Sequence, residues 1–225
     1  MGSLYTQHFA GGSGRGGMVG GRRFELVYRG GLAGISNTRP LFAALVKGLV
    51  SSISDAGGRD VNIVNATLIA RERGIAIDEK HVRDHEGAAT SLVTLKSIDT
   101  EGVGGQVIEG YVSGKSVFIS KLDRFAANFE PEGTLLVLHN YDQPGKIGNV
   151  GMVLGAQGIN ITFMQVASLG RMEARQAAAQ VSDGTSSPAA KEALMILGID
   201  GDVTESVVSG LKKAEGILDV SLVRL

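Results

Sequence analysis

The sequence predicts an α/β (α+β) chain of two folded domains, and three observations carry that reading. Short runs of aliphatic and β-branched residues alternate with segments whose apolar residues recur at helical spacing. A chain of 225 residues, 43% hydrophobic, fills two small cores more readily than one large one. Pro131 and Gly133 then interrupt the apolar pattern between the halves. The boundaries that follow are a flexible glycine-rich tail over 1–22, a first α/β domain over 23–130 and a second domain over 131–225.

The tail is MGSLYTQHFAGGSGRGGMVGG. Its glycines make ordering entropically costly, and no apolar periodicity repays that cost, so residues 1–21 are expected to stay flexible. Gly12, Gly14 and Gly17 formally satisfy GxGxxG, yet no apolar strand precedes them and no amphipathic helix follows. A dinucleotide loop is therefore not predicted there.

The first domain opens with the apolar strand FELVYRGGLA. A helix follows in PLFAALVKGLVSSI, where Pro40 suits an early helical position and Leu41, Leu45, Gly48 and Leu49 share a face. A second helix is read in VNIVNATLIARERG, with Val61, Val64 and Leu68 as its stripe and Gly74 as its C′ residue. Asn62 and Asn65 at its start are assigned to local hydrogen bonding. Ile75–Ile77, SLVTLKSI, GGQVIEGYV and SVFISKLDRF supply strands, with a hairpin turn at Ser113-Gly114-Lys115.

The second domain reads as strand TLLVLHNY, helix Lys146 to Gln157, strand INITFMQVA, strand EALMILGID, helix Thr204 to Glu215 and strand ILDVSLVRL. That order is βαββαβ, the ferredoxin-like arrangement. Ile147, Val150, Gly151 and Leu154 give the first helix its stripe, and Gly158 ends it. Asp202 and Glu205 have capping-box spacing for the second helix, whose Val207, Leu211 and Ala214 face the sheet before Gly216 closes it. LMILGI is apolar without alternation, as a centrally paired strand should be. Gly148, Gly151 and Gly155 would let the first helix lie close to the sheet or to a symmetry mate. The connection LGRMEARQAAAQVSDGTSSPAAK, over 169–191, reads as a surface loop with one helical turn at Glu173 to Gln180.

The chemistry concentrates at HNYDQPGKIGNVGMVLGAQGINITFMQ, His139 to Gln165. Pro144 fixes its own φ and lacks an N–H, while Gly145 allows a sharp turn into an open helix start. Unpaired first-turn amides at the positive end of the helix dipole favour a carboxylate, and the Asp142 side chain favours an ammonium group. Both ends of an amino-acid zwitterion are matched. Asn160, next to Ile161 at the start of the following strand, carries an amide that donates and accepts. A plain structural alternative is that Asp142 caps the helix and Asn160 shapes a turn.

This stretch resembles the start of an ACT domain, the small ligand-sensing module, and most closely the one ending the long form of D-3-phosphoglycerate dehydrogenase. VKGL followed by VNIVNATLIARERGI is similar to the intervening allosteric substrate-binding (ASB) domain of that family. The resemblance covers about 24–225. It implies an ASB-type α/β regulatory domain followed by a ferredoxin-like ACT domain, homo-oligomers paired through ACT domains, and L-serine held at the ACT interface by Asn140, Asp142 and Asn160. Gly145 and Ile161 complete the expected effector site. Some family members bind phosphate through basic residues near the end of the ASB domain, but the matching positions, Phe125, Ala126 and Glu130, are not basic. Lys115, Lys121 and Arg124 are the neighbouring cations that would form such an anion site.

Net charge is −1, so no global basic field draws nucleic acid or an anionic membrane. The absence of cysteine excludes disulfides, thiolate metal sites and a cysteine nucleophile. No apolar run approaches the roughly 20 residues that span a bilayer, and the first segment lacks a signal-peptide core, so a cytoplasmic protein is expected. His8, His81, His85 and His139 are scattered, and no catalytic set or metal site is placed among them. The family's NAD-binding and substrate domains are not expected within this sequence, whose resemblance begins near Phe24. The expected function is an allosteric serine-sensing region without a cofactor of its own, acting on the catalytic domains of an NAD-dependent dehydrogenase. The alternatives are a piece of that full enzyme or an ACT module retained for oligomerisation.

Overall fold

The computed structural model describes residues 1–10, 22–51, 54, 56–83, 91–98, 105–169 and 192–225. The chain is mixed α/β with two sheets and divides into two compact units. One comprises Met1–Asp123 with Asn128–Pro131, the other Arg124–Ala127 with Glu132–Leu225.

In the first unit, β1 (Arg23–Arg29) buries Phe24, Leu26 and Tyr28 on one side of its pleat. The chain crosses through α2 (Arg39–Val50) and α3 (Ala66–Glu72) to β2 (Ala76–Val82), which lies parallel to β1. β3 (Leu92–Ile98) pairs antiparallel on the other side of β1 and is followed in the sheet by β4 (Val107–Ser113), β5 (Ser116–Leu122) and β6 (Phe125–Phe129). Strand order is β2-β1-β3-β4-β5-β6. Pro40 sits in the first turn of α2 as expected, Gly74 follows α3 with φ +68°, and Gly114 turns the β4–β5 hairpin with φ +62°. The predicted single strand SVFISKLDRF is broken where Asp123 takes φ +54° between β5 and β6.

Three expectations for this unit are corrected. The tail predicted over 1–22 is structured at its beginning: α1 (Gly2–Tyr5) runs into a π-helical turn, Thr6–Ala10, with Leu4 and Tyr5 fully buried. Its backbone lies against α2, because a Cβ on Gly2 would meet the Leu45 carbonyl at 2.4 Å and one on Gly48 would meet the Ser3 amide nitrogen at 2.6 Å. Thr6 Oγ1 donates to the Gly48 carbonyl at 3.1 Å, and Tyr5 donates to Gln106 Oε1 at 2.6 Å. Of the stripe Val61, Val64, Leu68 only Val61 is buried: Val64 is 93% and Leu68 58% exposed, while Ala66 and Ala70 are buried. The helix starts late because Asn62 Oδ1 accepts from the amides of Val64 and Asn65, while Asn65 Oδ1 accepts from the Asn62 amide, which holds 62–65 in a turn. Finally, Leu41 is exposed although Leu45, Gly48 and Leu49 are buried.

The second unit runs β7 (Thr134–Tyr141), α4 (Lys146–Ala156), β8 (Asn160–Ser168), β9 (Glu192–Asp200), α5 (Glu205–Lys212), β10 (Ile217–Arg224). Its sheet order is β10-β7-β9-β8 with every neighbouring pair antiparallel, so β7 and β8 run parallel on either side of β9. This is the split βαβ topology expected of the order βαββαβ. Leu136, Leu138, Met195, Leu197 and Val220 from the sheet meet Val150 and Leu154 of α4 and Val207 and Leu211 of α5 in one core. β9 is buried along nearly its whole length, as its unalternating sequence implied.

Two local details differ. Thr204, not Asp202, is the N-cap of α5, and no side-chain capping bond forms. Gly148, Gly151 and Gly155 do not bring α4 onto the sheet, since a Cβ at any of them would meet nothing within 4 Å. The 170–191 part of the long connection, with its expected helical turn at 173–180, lies outside the described residues, as do Gly12–Gly17 and His85.

Candidate functional site

The strand-to-helix turn after β7 is built as Pro144 and Gly145 require. Gly145 is the N-cap of α4 with φ +86° and ψ −18°, a left-handed conformation that disfavours a side chain. The Asn149 amide makes a helical bond to the Gly145 carbonyl at 2.9 Å, so the amides of Ile147 and Gly148 belong to the open first turn. No side chain caps that turn. The plain reading of Asp142 as helix cap therefore fails, and its carboxylate stands exposed, accepting one bond from Ser168 Oγ at 2.9 Å.

The turn is braced from the α5–β10 side. The Tyr141 amide donates to the Gly216 carbonyl at 2.9 Å, and the buried Lys146 Nζ donates to the Glu215 carbonyl at 2.7 Å. Gly216 has φ +78°, and a Cβ there would meet Lys146 Nζ at 2.5 Å. The two anchors flank residues 142–145, leaving the turn little freedom. Sequence reasoning missed this brace, because it joins residues about 70 positions apart through a lysine that reads as a surface charge.

Asn140 lies buried at the end of β7. It is only 3% exposed, donates from Nδ2 to the Tyr141 carbonyl at 2.8 Å, and leaves Oδ1 buried with no hydrogen-bond partner. Within one copy it is an internal residue of the strand end. Asn160 is exposed at the start of β8, and Ile161 beside it packs against the core. Within one chain the site is not assembled. Tyr141 pairs with Glu192 and Ser168 with Ala193 at one end of the sheet, whereas Asn160 pairs with Asp200 and Thr134 with Ile199 at the other. Eight strand residues separate Asn160 from the Asp142 end, roughly 25 Å.

The cations named for an anion site, Lys115, Lys121 and Arg124, are spread along the chain. Lys115 lies in the hairpin turn and Lys121 opposite Glu109, six residues along the strand or roughly 20 Å away. Arg124 is held in an ion pair with Glu192. A shallow groove between α2 and Val61–Val64, lined by Ala43, Lys47, Asn62 and Val64 among others, brings together no acid–base set. Among the described residues no group of three or more His, Asp or Glu is placed to hold a metal ion, and no helix is long and apolar enough to cross a membrane.

Residues 20–118 match the family described as the D-3-phosphoglycerate dehydrogenase intervening domain. Over that stretch the chain is similar to this domain family. The D-3-phosphoglycerate dehydrogenase of Methanocaldococcus jannaschii is 32% identical over 203 residues, covering 90% of this chain and 34% of the relative. The Synechocystis enzyme of the same name is 33% identical over 213 residues, 92% of this chain and 34% of the relative, and that of Bacillus subtilis is 29% identical over 200 residues, 89% and 34%. The chain thus spans about a third of the length of these relatives. Its resemblance to the C-terminal region of the long-form dehydrogenase is borne out. Among the described residues of the first unit, the strand β1 of the parallel pair β1–β2 is followed by Gly30-Gly31-Leu32-Ala33-Gly34, which lacks the GxGxxG spacing.

Proposed function

We propose that this chain is an amino-acid-sensing regulatory region of a cytoplasmic D-3-phosphoglycerate dehydrogenase, its second unit an ACT domain that binds L-serine between two copies. The observation that carries the proposal is an exposed carboxylate, Asp142, beside an uncapped helix start with Gly145 as N-cap, at the opposite end of the sheet from the exposed amide of the edge strand. An antiparallel pairing of two β8 edges reverses one strand against the other. Asn160 of a second copy then reaches the Asp142 end of the first, and the polar groups that one chain keeps apart converge.

In that arrangement Asp142 accepts the ammonium group of the ligand, and the first-turn amides of α4 receive its carboxylate. Asn160 of the second copy exchanges hydrogen bonds with the remaining polar atoms. The open faces of β8 and α4, with Met164, Val166, Ile147 and Met152 exposed, supply apolar area for the pairing. Serine binds the paired form more tightly and shifts the equilibrium toward it, and the intervening domain passes that shift to the catalytic domains. NAD and hydride transfer belong, in this reading, to the part of the relatives outside this chain.

Calorimetry with L-serine on a sample shown by light scattering to be dimeric tests the proposal. Saturable heat supports it. A dimer that takes up no serine rejects it and favours pairing for oligomerisation alone.

A further inference from the structure

We infer that Ser168 is a positioning residue for Asp142 in this effector site, an inference that rests on the sensor reading above. β7 and β8 are not neighbours, because β9 lies between them. Nevertheless Ser168, the last residue of β8, reaches over the start of β9 to donate to Asp142 Oδ2 at 2.9 Å. It is the one side-chain hydrogen bond made to Asp142 among the described residues.

The bond does two things. It restrains the rotation of an exposed carboxylate that has no other side-chain partner, so that less ordering entropy is lost when a ligand arrives. It also occupies Oδ2 and leaves Oδ1 for an ammonium group, since each carboxylate oxygen accepts and neither donates. Because Ser168 ends the strand whose free edge pairs with a second copy in the sensor reading, the hydroxyl ties the carboxylate to that edge. Pairing and ligand binding are thereby linked through one side chain.

Three full-length chains decide the matter by serine calorimetry: wild type, Ser168→Ala and Ser168→Thr. Ser168→Ala is expected to bind L-serine about tenfold more weakly, in line with the loss of a hydrogen bond to a charged group. Its thermal midpoint should match wild type, since Ser168 is exposed. Ser168→Thr keeps the hydroxyl and should restore the affinity, which a merely packing role would not produce. Equal affinity for wild type and Ser168→Ala, or a Thr variant as weak as Ala, overturns the role of Ser168 and leaves the sensor reading standing. Wild-type protein that binds no serine overturns both.

Discussion

At the residue scale the account rests on Asp142 and Gly145. Asp142→Ala removes the ammonium acceptor, and serine affinity should fall by about 1.5 kcal/mol or more, read by calorimetry. Gly145→Ala tests the turn itself. A Cβ there meets no neighbour, so the whole effect comes from φ +86°, and the variant should lose about 1–2 kcal/mol in denaturant unfolding. The left-handed position was legible in the sequence, because Pro144-Gly145 before an apolar stripe leaves few other ways to start a helix. The burial of Asn140 was not. Its polarity suggests solvent, and only the neighbouring strands on both sides, pairing it with Ala193 and Ile217, decide that it faces inward. Ser168 was missed for a related reason: its proximity to Asp142 follows from strand register, which a local pattern does not reveal.

At the scale of elements the clearest departure is the N-terminal segment. Gly2 and Gly48 let two helical backbones approach closely, and Leu4, Tyr5 and Phe9 then reach the core of the first unit. A glycine-rich composition hid this, since the glycines that order the crossing are chemically identical to those that loosen a tail. Gly48→Val should push α1 off α2 and cost about 1–3 kcal/mol by overpacking, with the amides of Tyr5–Ala10 losing their hydrogen-exchange protection ahead of the rest of the unit. Unchanged protection would contradict the docking. In α3 the apolar spacing from Val61 to Leu68 misled because Asn62 and Asn65 form a turn and delay the helix to Ala66, rotating the buried face onto Ala66 and Ala70. α4 and α5 were read with their inward faces nearly right, since Val150, Leu154, Val207 and Leu211 lie at regular spacing within uninterrupted helices.

For the whole molecule, the order βαββαβ and its sheet topology followed from alternating periods and short connections. The same logic exposes β8 as an edge with apolar Met164 and Val166 uncovered. A charge there should block edge pairing: Val166→Lys is expected to remain folded by circular dichroism but to elute as a monomer in light scattering. A site divided between two copies predicts complementation. Chains carrying Asp142→Ala and chains carrying Asn160→Ala should each bind L-serine poorly alone, since every site in either homodimer lacks one partner. The decisive measurement is serine calorimetry on the two variants after they are unfolded and refolded together. A mixed dimer joins the intact Asp142 of one chain to the intact Asn160 of the other, so sites of wild-type affinity should reappear, at most one per mixed dimer. If mixed dimers form and no such sites return, the site does not span two copies and the account is contradicted.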